Sequence, residues 1–345
     1  MNIDESLPDW ATLAERDWPA LLLGNGLSIN LWRGFQYGSL FSEAELASDA
    51  REVFVELDTT NFEAALECIH HARVVLQALG QQTDDVDRLY AEVRDSLFET
   101  VASAHVPWDR FPPATHTLIA EVLNGFDSVF TTNYDLSLYW SHLENRALVD
   151  LVDFMWNAGA TFDPRNVEVR SRHATAIYYL HGAVHLWQDE AGNNGKWTSA
   201  EGGNLLNLAE KYQPTSGRRP LFISEGTSTA KTRSIQRSAY LAFCRDALTD
   251  DTSNTVVFGH SLSEPDHHII EALDEGRSRT IAVSLYPSDD PNQIIEDKAR
   301  IVRALGRHTV HFFDSTTHPL GAATLQIKGH GRADTVDVAV DEVES

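Results

Sequence analysis

The sequence of 345 residues is short of cysteine, of positive charge and of long apolar runs. Its two cysteines, Cys68 and Cys244, lie far apart in helix-like surroundings, so they can build neither a disulfide framework nor a four-cysteine zinc site. No apolar run approaches the ~20 residues that a membrane helix needs, and the acidic stretch Met1–Asp9 lacks the basic character of a signal peptide. We therefore expect a cytoplasmic protein whose cysteines are core residues.

The shortage of positive charge also limits the partners that the protein can have. Lys and Arg number 27 against 51 Asp and Glu, which gives a formal net charge of −24, and no local basic patch is present. Such a surface repels phosphate backbones, so we expect no direct binding of nucleic acid. A nucleotide remains compatible with this charge, because backbone N–H groups and a helix N-terminus can hold a diphosphate without a lysine.

Three apolar runs end abruptly in small or polar residues. Leu21–Leu23 is followed by the glycine-rich stretch Gly24–Ser28, and Thr255–Phe258 is followed by Gly259–Ser263. The third run, Val129–Thr132, stops at an amide, a phenol and a carboxylate, those of Asn133, Tyr134 and Asp135. In an open parallel sheet, ligands bind at the carboxyl ends of buried strands. Three such strand ends in one crevice predict a nucleotide site.

The alternation of strands and helices along the chain predicts an α/β fold, a Rossmann-like doubly wound parallel sheet. We expect Leu23, Phe130, Leu180 and Phe258 to end neighbouring strands on the same edge of this sheet. This domain is predicted to span residues 1–321.

Two segments interrupt the strand–helix alternation. From Ser42 to Ala102, apolar residues recur at spacings of three and four, so we expect a helical module inserted over about residues 42–127. Asp189–Gly217 is rich in Gly, Asn, Glu and Ser and is predicted to be a long surface excursion. Alternating residues on both sides of Gly329–Gly331 predict a C-terminal hairpin, with an acidic tail, within 322–345.

Four motifs occur in the order and at the strand ends found in sirtuin-like proteins: Gly24–Ser28, Thr132–Asp135, Leu180–Gly182 and Gly259–Asp266. Over roughly Leu21–Phe313 the chain resembles that family, and within it the zinc-less bacterial domains that hydrolyse NAD+ as antiphage effectors. The sequence lacks the paired Cys-x-x-Cys zinc module of the deacylases, which argues against protein deacylation. Asn25 and His260 also depart from the usual residues of the family.

The resemblance implies roles for individual residues. His181 would be the catalytic base, and Asn133 and Asp135 would hold the nicotinamide ribose. The implied catalytic residues are Asn133, His181 and Asp135, and the implied NAD+-binding residues are Gly24, Asn25, Gly26, Ser28, Arg33, Thr132, Gly259, Ser261, Ser263 and Asp266. The chemistry agrees, because an amide can orient a water or a ribose hydroxyl and a histidine of pKa about 6.5 can accept its proton.

Each residue also has a purely structural interpretation. Asn133 could cap the helix that follows it, and His181 could be a core histidine bonded to a carbonyl. Four further histidines are expected to be structural or surface residues: His185, His260, His267 and His268. We expect no bound metal, because the histidines lack the spacing of metal ligands and lie at different strand ends.

The resemblance implies an NAD+ glycohydrolase that releases nicotinamide and ADP-ribose, or a cyclised ADP-ribose, and that acts in abortive infection. NAD+ would be its substrate. Two alternatives remain: an ADP-ribosyltransferase, and a sensor that binds NAD+ or ADP-ribose without turnover. Because loss of NAD+ harms the host, we expect restraint by homo-oligomer assembly or by an activating partner such as an ATPase or a nuclease.

Overall fold

The computed structural model describes residues 3–36, 39–168, 173–199, 204–223 and 226–328. Over these residues, a seven-stranded parallel sheet is flanked by helices, and a three-stranded antiparallel sheet adjoins it. The strands are β1 (Ala20–Leu23), β2 (Ser128–Thr131), β3 (Asp150–Val152), β4 (Ala174–Tyr179), β5 (Gly182–Asp189), β6 (Asn194–Lys196), β7 (Arg218–Phe222), β8 (Thr255–Phe258), β9 (Thr280–Leu285) and β10 (Thr309–Asp314).

The large sheet has the order β10-β9-β8-β1-β2-β4-β3. From β1 at its centre the chain adds strands first on one side and later on the other, which makes the sheet doubly wound. All four residues of β1 and of β8 are buried, as expected for strands covered on both faces. The predicted Rossmann-like α/β class is therefore confirmed.

The strand ends are aligned as predicted. Leu23 of β1 is paired with Thr131 of β2 on one side and with Phe258 of β8 on the other. Thr131 is paired in turn with Tyr179 of β4, so Leu180 follows at the same edge. The residues that come after these four strands consequently meet at one carboxyl edge.

Six helices lie between β1 and β2, namely α1 (Gly26–Leu31), α2 (Leu40–Glu43), α3 (Ser48–Glu56), α4 (Phe62–Ala78), α5 (Asp84–Ala104) and α6 (Pro113–Leu123). The expected apolar face of α4 is buried only in its first half, through Phe62, Leu66 and Ile69, whereas Leu79 at its end is 67% exposed. Asn61 caps this helix by accepting a hydrogen bond of 2.8 Å from the amide of Ala64. The helices of the predicted insertion thus form, and helical structure begins before it.

The remaining helices lie after β2, β7, β8 and β9. They are α7 (Ser137–Glu144), α8 (Ser228–Gln236), α9 (Ala239–Asp250), α10 (His267–Glu275) and α11 (Pro291–Ala304). None of the helices over the described residues combines the length and the apolar character needed to cross a bilayer.

The surface excursion predicted for Asp189–Gly217 is wrong in part. Its described residues include β6, which is antiparallel to β5, and they bury Trp197, Leu208 and Tyr212. The run Leu221–Phe222 belongs to β7, which is also antiparallel to β5 and forms no part of the large sheet. Asparagine and glycine mark this segment as a loop by composition, whereas its buried aromatic side chains, Trp197 and Tyr212, join the main hydrophobic core.

Two smaller predictions also fail. Cys244 is buried as expected, but Cys68 lies on the exposed face of α4. Within 322–328 the predicted first strand of the hairpin is replaced by a 3-10 turn at Ala323–Leu325, because Leu325 and Ile327 pack into the main core and Ile327 bonds to Leu31. The second strand of that hairpin lies outside the described residues.

Candidate functional site

A cavity of about 450 Å³ opens at the carboxyl edge of β1, β2, β4 and β8. Its volume is within the range of sites for small ligands and cofactors. The cavity lies beside the point between β1 and β8 where the strand order reverses, which is the usual ligand position in doubly wound sheets. Its lining residues are Asn25, Gly26, Ile29, Phe35, Ser39, Thr132, Asn133, Tyr134, Asp135, His181, Ile223, Lys231, Gly259, His260, Ser261 and Asp266.

The loops after β1 and β8 cross so closely that they need glycine. A Cβ on Gly24 would lie 2.5 Å from Cα of His260. Gly259 has a φ of +66°, and a Cβ there would lie 2.8 Å from the backbone nitrogen of Leu27. The amides of Gly24 and Gly26 donate to the carbonyls of Phe258 and Gly259. These two amides therefore hold the loops together and are not free to bind a phosphate.

Asn133 is held in place by a buried hydrogen-bond network. Its Nδ2 donates to Oγ of Ser28 at 3.0 Å, and that hydroxyl donates to Oδ2 of Asp135 at 2.5 Å. The other carboxylate oxygen of Asp135 accepts from the amide of Ser137 at 2.8 Å, in the first turn of α7. Asp135 thus takes the capping role that had been open to Asn133. The buried Oδ1 of Asn133 has no hydrogen-bond partner among the described residues.

His181 is 4% exposed and is bonded to another histidine. Its Nε2 lies 2.8 Å from Nε2 of His268, so the structure does not support the alternative of a carbonyl-bonded core histidine. Oδ1 of Asp266 lies 3.8 Å from the same Nε2 of His181. Lys231 of α8 forms an ion pair of 2.7 Å with that carboxylate oxygen. The four side chains therefore form one contiguous polar cluster at the cavity.

Burial sets the protonation of this cluster. It holds the pKa of His181 well below 6.5, and the nearby cation Lys231 acts in the same direction while Asp266 opposes it. Burial likewise lowers the pKa of His268 to about 4. Burial alone would raise the pKa of Asp266, but His181, His260 and Lys231 outweigh it and the pKa falls to about 2. At neutral pH the cluster thus contains neutral imidazoles, a carboxylate and one ammonium group.

His260 lies near the same carboxylate, on the loop after β8, without a hydrogen bond to it. Its Nδ1 accepts a hydrogen bond of 3.0 Å from the amide of Leu262, so the proton of the neutral ring is on Nε2. That Nε2 lies 3.7 Å from Oδ2 of Asp266. Leu262 adopts a φ of +48°, an uncommon conformation for a residue with a side chain, which keeps this loop tightly turned.

A metal ion is the other species that such a cluster could hold. His181, Asp266 and His268 offer ligand atoms that all lie within 4.8 Å of one another, so the argument that histidines at different strand ends form no such group is wrong. Two features favour direct side-chain interaction instead. A separation of 2.8 Å between two nitrogens is a hydrogen-bond distance, and Lys231 already neutralises Asp266.

Residues 21–320 match the family described as "Domain of unknown function (DUF4917)". The chain belongs to this family. No curated protein matches the chain. Among solved structures, one described as "The Structural basis for Sirtuin Substrate affinity" is 15% identical, with 86% of this chain and 97% of that chain covered and a TM-score of 0.34. A Sir2 mutant with a p53 peptide and NAD is 14% identical, with 86% and 96% covered and a TM-score of 0.30.

In this DUF4917 member, most of the residues proposed from the sequence line the cavity. They are Asn25, Gly26, Thr132, Asn133, Asp135, His181, Gly259, Ser261 and Asp266. Gly24 and Ser28 do not line the cavity. Gly24 packs against the loop after β8, and Ser28 bonds to the side chain of Asn133. Arg33 has an exposed side chain outside the lining, and Ser263 bonds to Ser261 at an exposed position, so neither is placed to bind a ligand here.

Sequence reasoning missed Lys231, His260 and His268 as parts of the site. Lys231 and His268 lie on helices, where a lone charged residue or histidine gives no signal of its own. The motif Gly259–Asp266 contained the available signal for His260, since only Gly259 separates this residue from the end of a buried strand.

Proposed function

We propose that this DUF4917 protein is an NAD+ glycohydrolase that cleaves the bond between nicotinamide and ribose. The observation that carries the proposal is the presence, in one cavity at the strand-order reversal, of the unpartnered amide oxygen of Asn133 and the neutral imidazole of His181. The amide oxygen of Asn133 can accept a hydrogen bond from a ribose hydroxyl or a water. The imidazole of His181 can accept a proton.

These groups match the demands of the reaction. Cleavage of a glycosidic bond passes through an oxocarbenium-like state, and nicotinamide leaves as a neutral molecule, so positioning matters more than a strong nucleophile. Asn133 would orient the ribose or the attacking water, and His181 would take up the proton that this water loses. Both oxygens of Asp135 are already bonded. We therefore assign to Asp135 the positioning of Ser28 and Asn133 rather than contact with the ribose.

The remainder of NAD+ is assigned to the glycine crossing. Gly26 and Gly259 line the cavity at the position where a diphosphate lies in other doubly wound sheets. They shape this wall by letting the two loops cross, and they offer no amide from Gly24 or Gly26, because both amides are occupied. Lys231 adds a cation to the cavity wall of a protein with a net charge of −24.

The test is to incubate the purified protein with NAD+ alone and to quantify nicotinamide and ADP-ribose by chromatography. We expect equal amounts of both products. His181→Ala and Asn133→Ala should each lower the rate by about 10²–10⁴-fold, the usual loss when acid–base catalysis is removed. His267→Ala is the matched control, since His267 is a histidine with a 48% exposed side chain near the site.

Other outcomes would separate the alternatives. Nicotinamide without free ADP-ribose, together with ADP-ribose attached to protein, indicates a transferase. A raised melting temperature with NAD+ but no nicotinamide indicates a sensor. Either result contradicts the hydrolase.

We also propose that the reaction serves antiphage defence in the cytoplasm, where assembly or a partner such as an ATPase or a nuclease releases the activity. NAD+ depletion is harmful to the host cell, so an unregulated hydrolase of this kind would be toxic. The measurement is intracellular NAD+ during phage challenge in cells that express the wild type or His181→Ala. A fall in NAD+ that is equal in both strains would contradict this role.

A further inference from the structure

A chain of hydrogen-bonding groups leads from His181 away from the cavity. Nε2 of His181 is bonded to Nε2 of His268, a residue of α10 that does not line the cavity. Nδ1 of His268 lies 3.4 Å from Oγ of Ser228, and the backbone amide of His268 donates to the same oxygen at 3.1 Å. Ser228 is half-buried at the start of α8, beside the exposed Thr227. The chain thus connects a buried imidazole with the protein surface.

We propose that His268 is a positioning residue that relays the proton from His181 to solvent through Ser228. The inference rests on the proposed function, because that reaction creates the proton. Hydrolysis of NAD+ consumes one water and gives nicotinamide, ADP-ribose and one proton. His181 is only 4% exposed, so a proton that it receives needs a route out.

The step balances through two tautomer changes. The C–N bond to nicotinamide breaks with its electron pair, and a C–O bond forms between water and the anomeric carbon. The water proton goes to Nδ1 of His181, because Nε2 of the same ring is bonded to His268. The proton on Nε2 of His181 passes to Nε2 of His268, and the proton on Nδ1 of His268 leaves through the hydroxyl of Ser228. Each ring ends with one proton, as it began.

The electrostatics of the pair fit this role. Two neutral imidazoles at 2.8 Å share a single proton between one donor and one acceptor, whereas two protonated rings would repel each other. Burial keeps both rings neutral at pH 7. Asp266, whose carboxylate lies 3.8 Å from His181, can stabilise a transient positive charge on that ring.

The experiment measures nicotinamide release by His268→Gln and His268→Ala. Glutamine can still bond to His181 but cannot pass a proton between two ring nitrogens. We expect kcat to fall by about 10–100-fold in both variants, below the full loss of a catalytic base, with the KM for NAD+ changed by less than about twofold. Added imidazole should restore part of kcat in His268→Ala and none in His181→Gln. His267→Ala, from the same helix, is the control and should keep the wild-type rate.

Four outcomes would contradict the relay or the proposed function beneath it. If both His268 variants remain folded and keep the wild-type kcat, the relay is refuted while the hydrolase stands. If both lose activity only in proportion to unfolding, without rescue by imidazole, His268 is structural and the relay is refuted. If a chelator abolishes wild-type activity and Zn²⁺ restores it, the pair is a metal site and not a relay. If the wild type releases no nicotinamide, the proposed function itself fails.

Discussion

Ser28 determines how the amide of Asn133 faces the cavity. Its hydroxyl links Nδ2 of Asn133 at 3.0 Å to the carboxylate of Asp135 at 2.5 Å, and all three side chains are buried. We expect Ser28→Ala to cost about 1–3 kcal/mol, because it leaves a buried carboxylate oxygen without a partner. Nicotinamide release per folded molecule should also fall, since Asn133 can then rotate.

The measurement is the free energy of unfolding by urea together with the turnover rate of the same preparations. Ser263→Ala is the matched control, because Ser263 bonds only to Ser261 at an exposed position. Normal turnover by folded Ser28→Ala would show that Asn133 does not depend on this network.

The lowered pKa of His181 predicts how the rate of nicotinamide release depends on pH. Burial is the main cause of its lowered pKa, with Lys231, His268 and His260 in support and Asp266 opposed. A base is active in its deprotonated form, so a lowered pKa preserves activity toward acid pH. A histidine of pKa 6.5 would keep only about a quarter of its base form at pH 6. We expect initial rates at pH 6 to remain within about twofold of those at pH 7.5.

The rates should be measured with circular dichroism of the same samples, so that acid unfolding is separated from titration. A fourfold loss of rate in folded protein between pH 7.5 and pH 6 would contradict a buried His181 base.

Residue identities predicted only part of the site, for a physical reason. Gly259 follows its buried strand directly, and Asn133 and His181 follow theirs after one residue. The strand ends of a parallel sheet meet at one edge. His268 reaches His181 across 87 residues of sequence through the packing of α10. No local pattern encodes that contact, so the partner of the predicted base could be found only from the structure.

At the scale of elements, the ion pair between Lys231 and Asp266 ties α8 to the turn before α10. Its atoms lie 2.7 Å apart, and the side chains are only 10% and 19% exposed. Removing one partner leaves a mostly buried charge, so we expect Lys231→Met or Asp266→Asn alone to cost about 3–5 kcal/mol. The double variant should be more stable than the sum of the single losses predicts, with a coupling energy of about 0.5–3 kcal/mol.

Urea unfolding of the four proteins of this cycle provides the measurement. The same cycle on Arg165 and Asp163, whose side chains are 88% and 35% exposed, is the control and should show no measurable coupling. Additive losses at Lys231 and Asp266 would mean that α8 is held against α10 by its apolar contacts alone.

Strands and helices were predictable from the sequence where one bounded run of apolar residues corresponds to one strand or one helix. β1 and β8 are short buried runs bounded by polar residues, and Asn61 and Gly80 delimit α4 at its two ends. β4 was predicted as the strand that ends at Leu180, whereas β5 escaped this logic because it continues the apolar stretch of β4 almost without a break. Only Leu180 and His181 separate them, and Gly182 with a φ of +72° turns the chain from the parallel sheet into the antiparallel one. Periodicity alone cannot show that two sheets share such a run.

For the whole molecule, the net charge of −24 and the buried histidines act on stability in opposite directions as the pH falls. Protonation of surface groups relieves self-repulsion, which stabilises the fold. Buried neutral histidines do the reverse, because the unfolded chain binds protons near pH 6.5 and the folded chain does not. Burial lowers the pKa of seven buried histidines, namely His105, His116, His181, His185, His260, His268 and His318.

We expect the histidines to dominate between pH 6.5 and pH 4.5, and the melting temperature to fall over this range. Their contribution is complete above pH 6.5 and is lost at up to about 1.4 kcal/mol for each group and pH unit until the pKa of the folded state is reached. Several such groups outweigh surface repulsion, which 0.15 M salt screens beyond about 8 Å. Asp266 does not contribute in this window, since its stabilisation is lost only between pH 3.8 and its folded pKa of about 2.

Melting curves at four pH values, each in 0.15 M and 0.5 M NaCl, separate the two effects. Salt should raise stability at pH 7.5, whereas the fall of the melting temperature toward acid pH should persist at both salt concentrations. A melting temperature that rises toward pH 5 would show that charge repulsion, and not histidine burial, controls the stability of this protein.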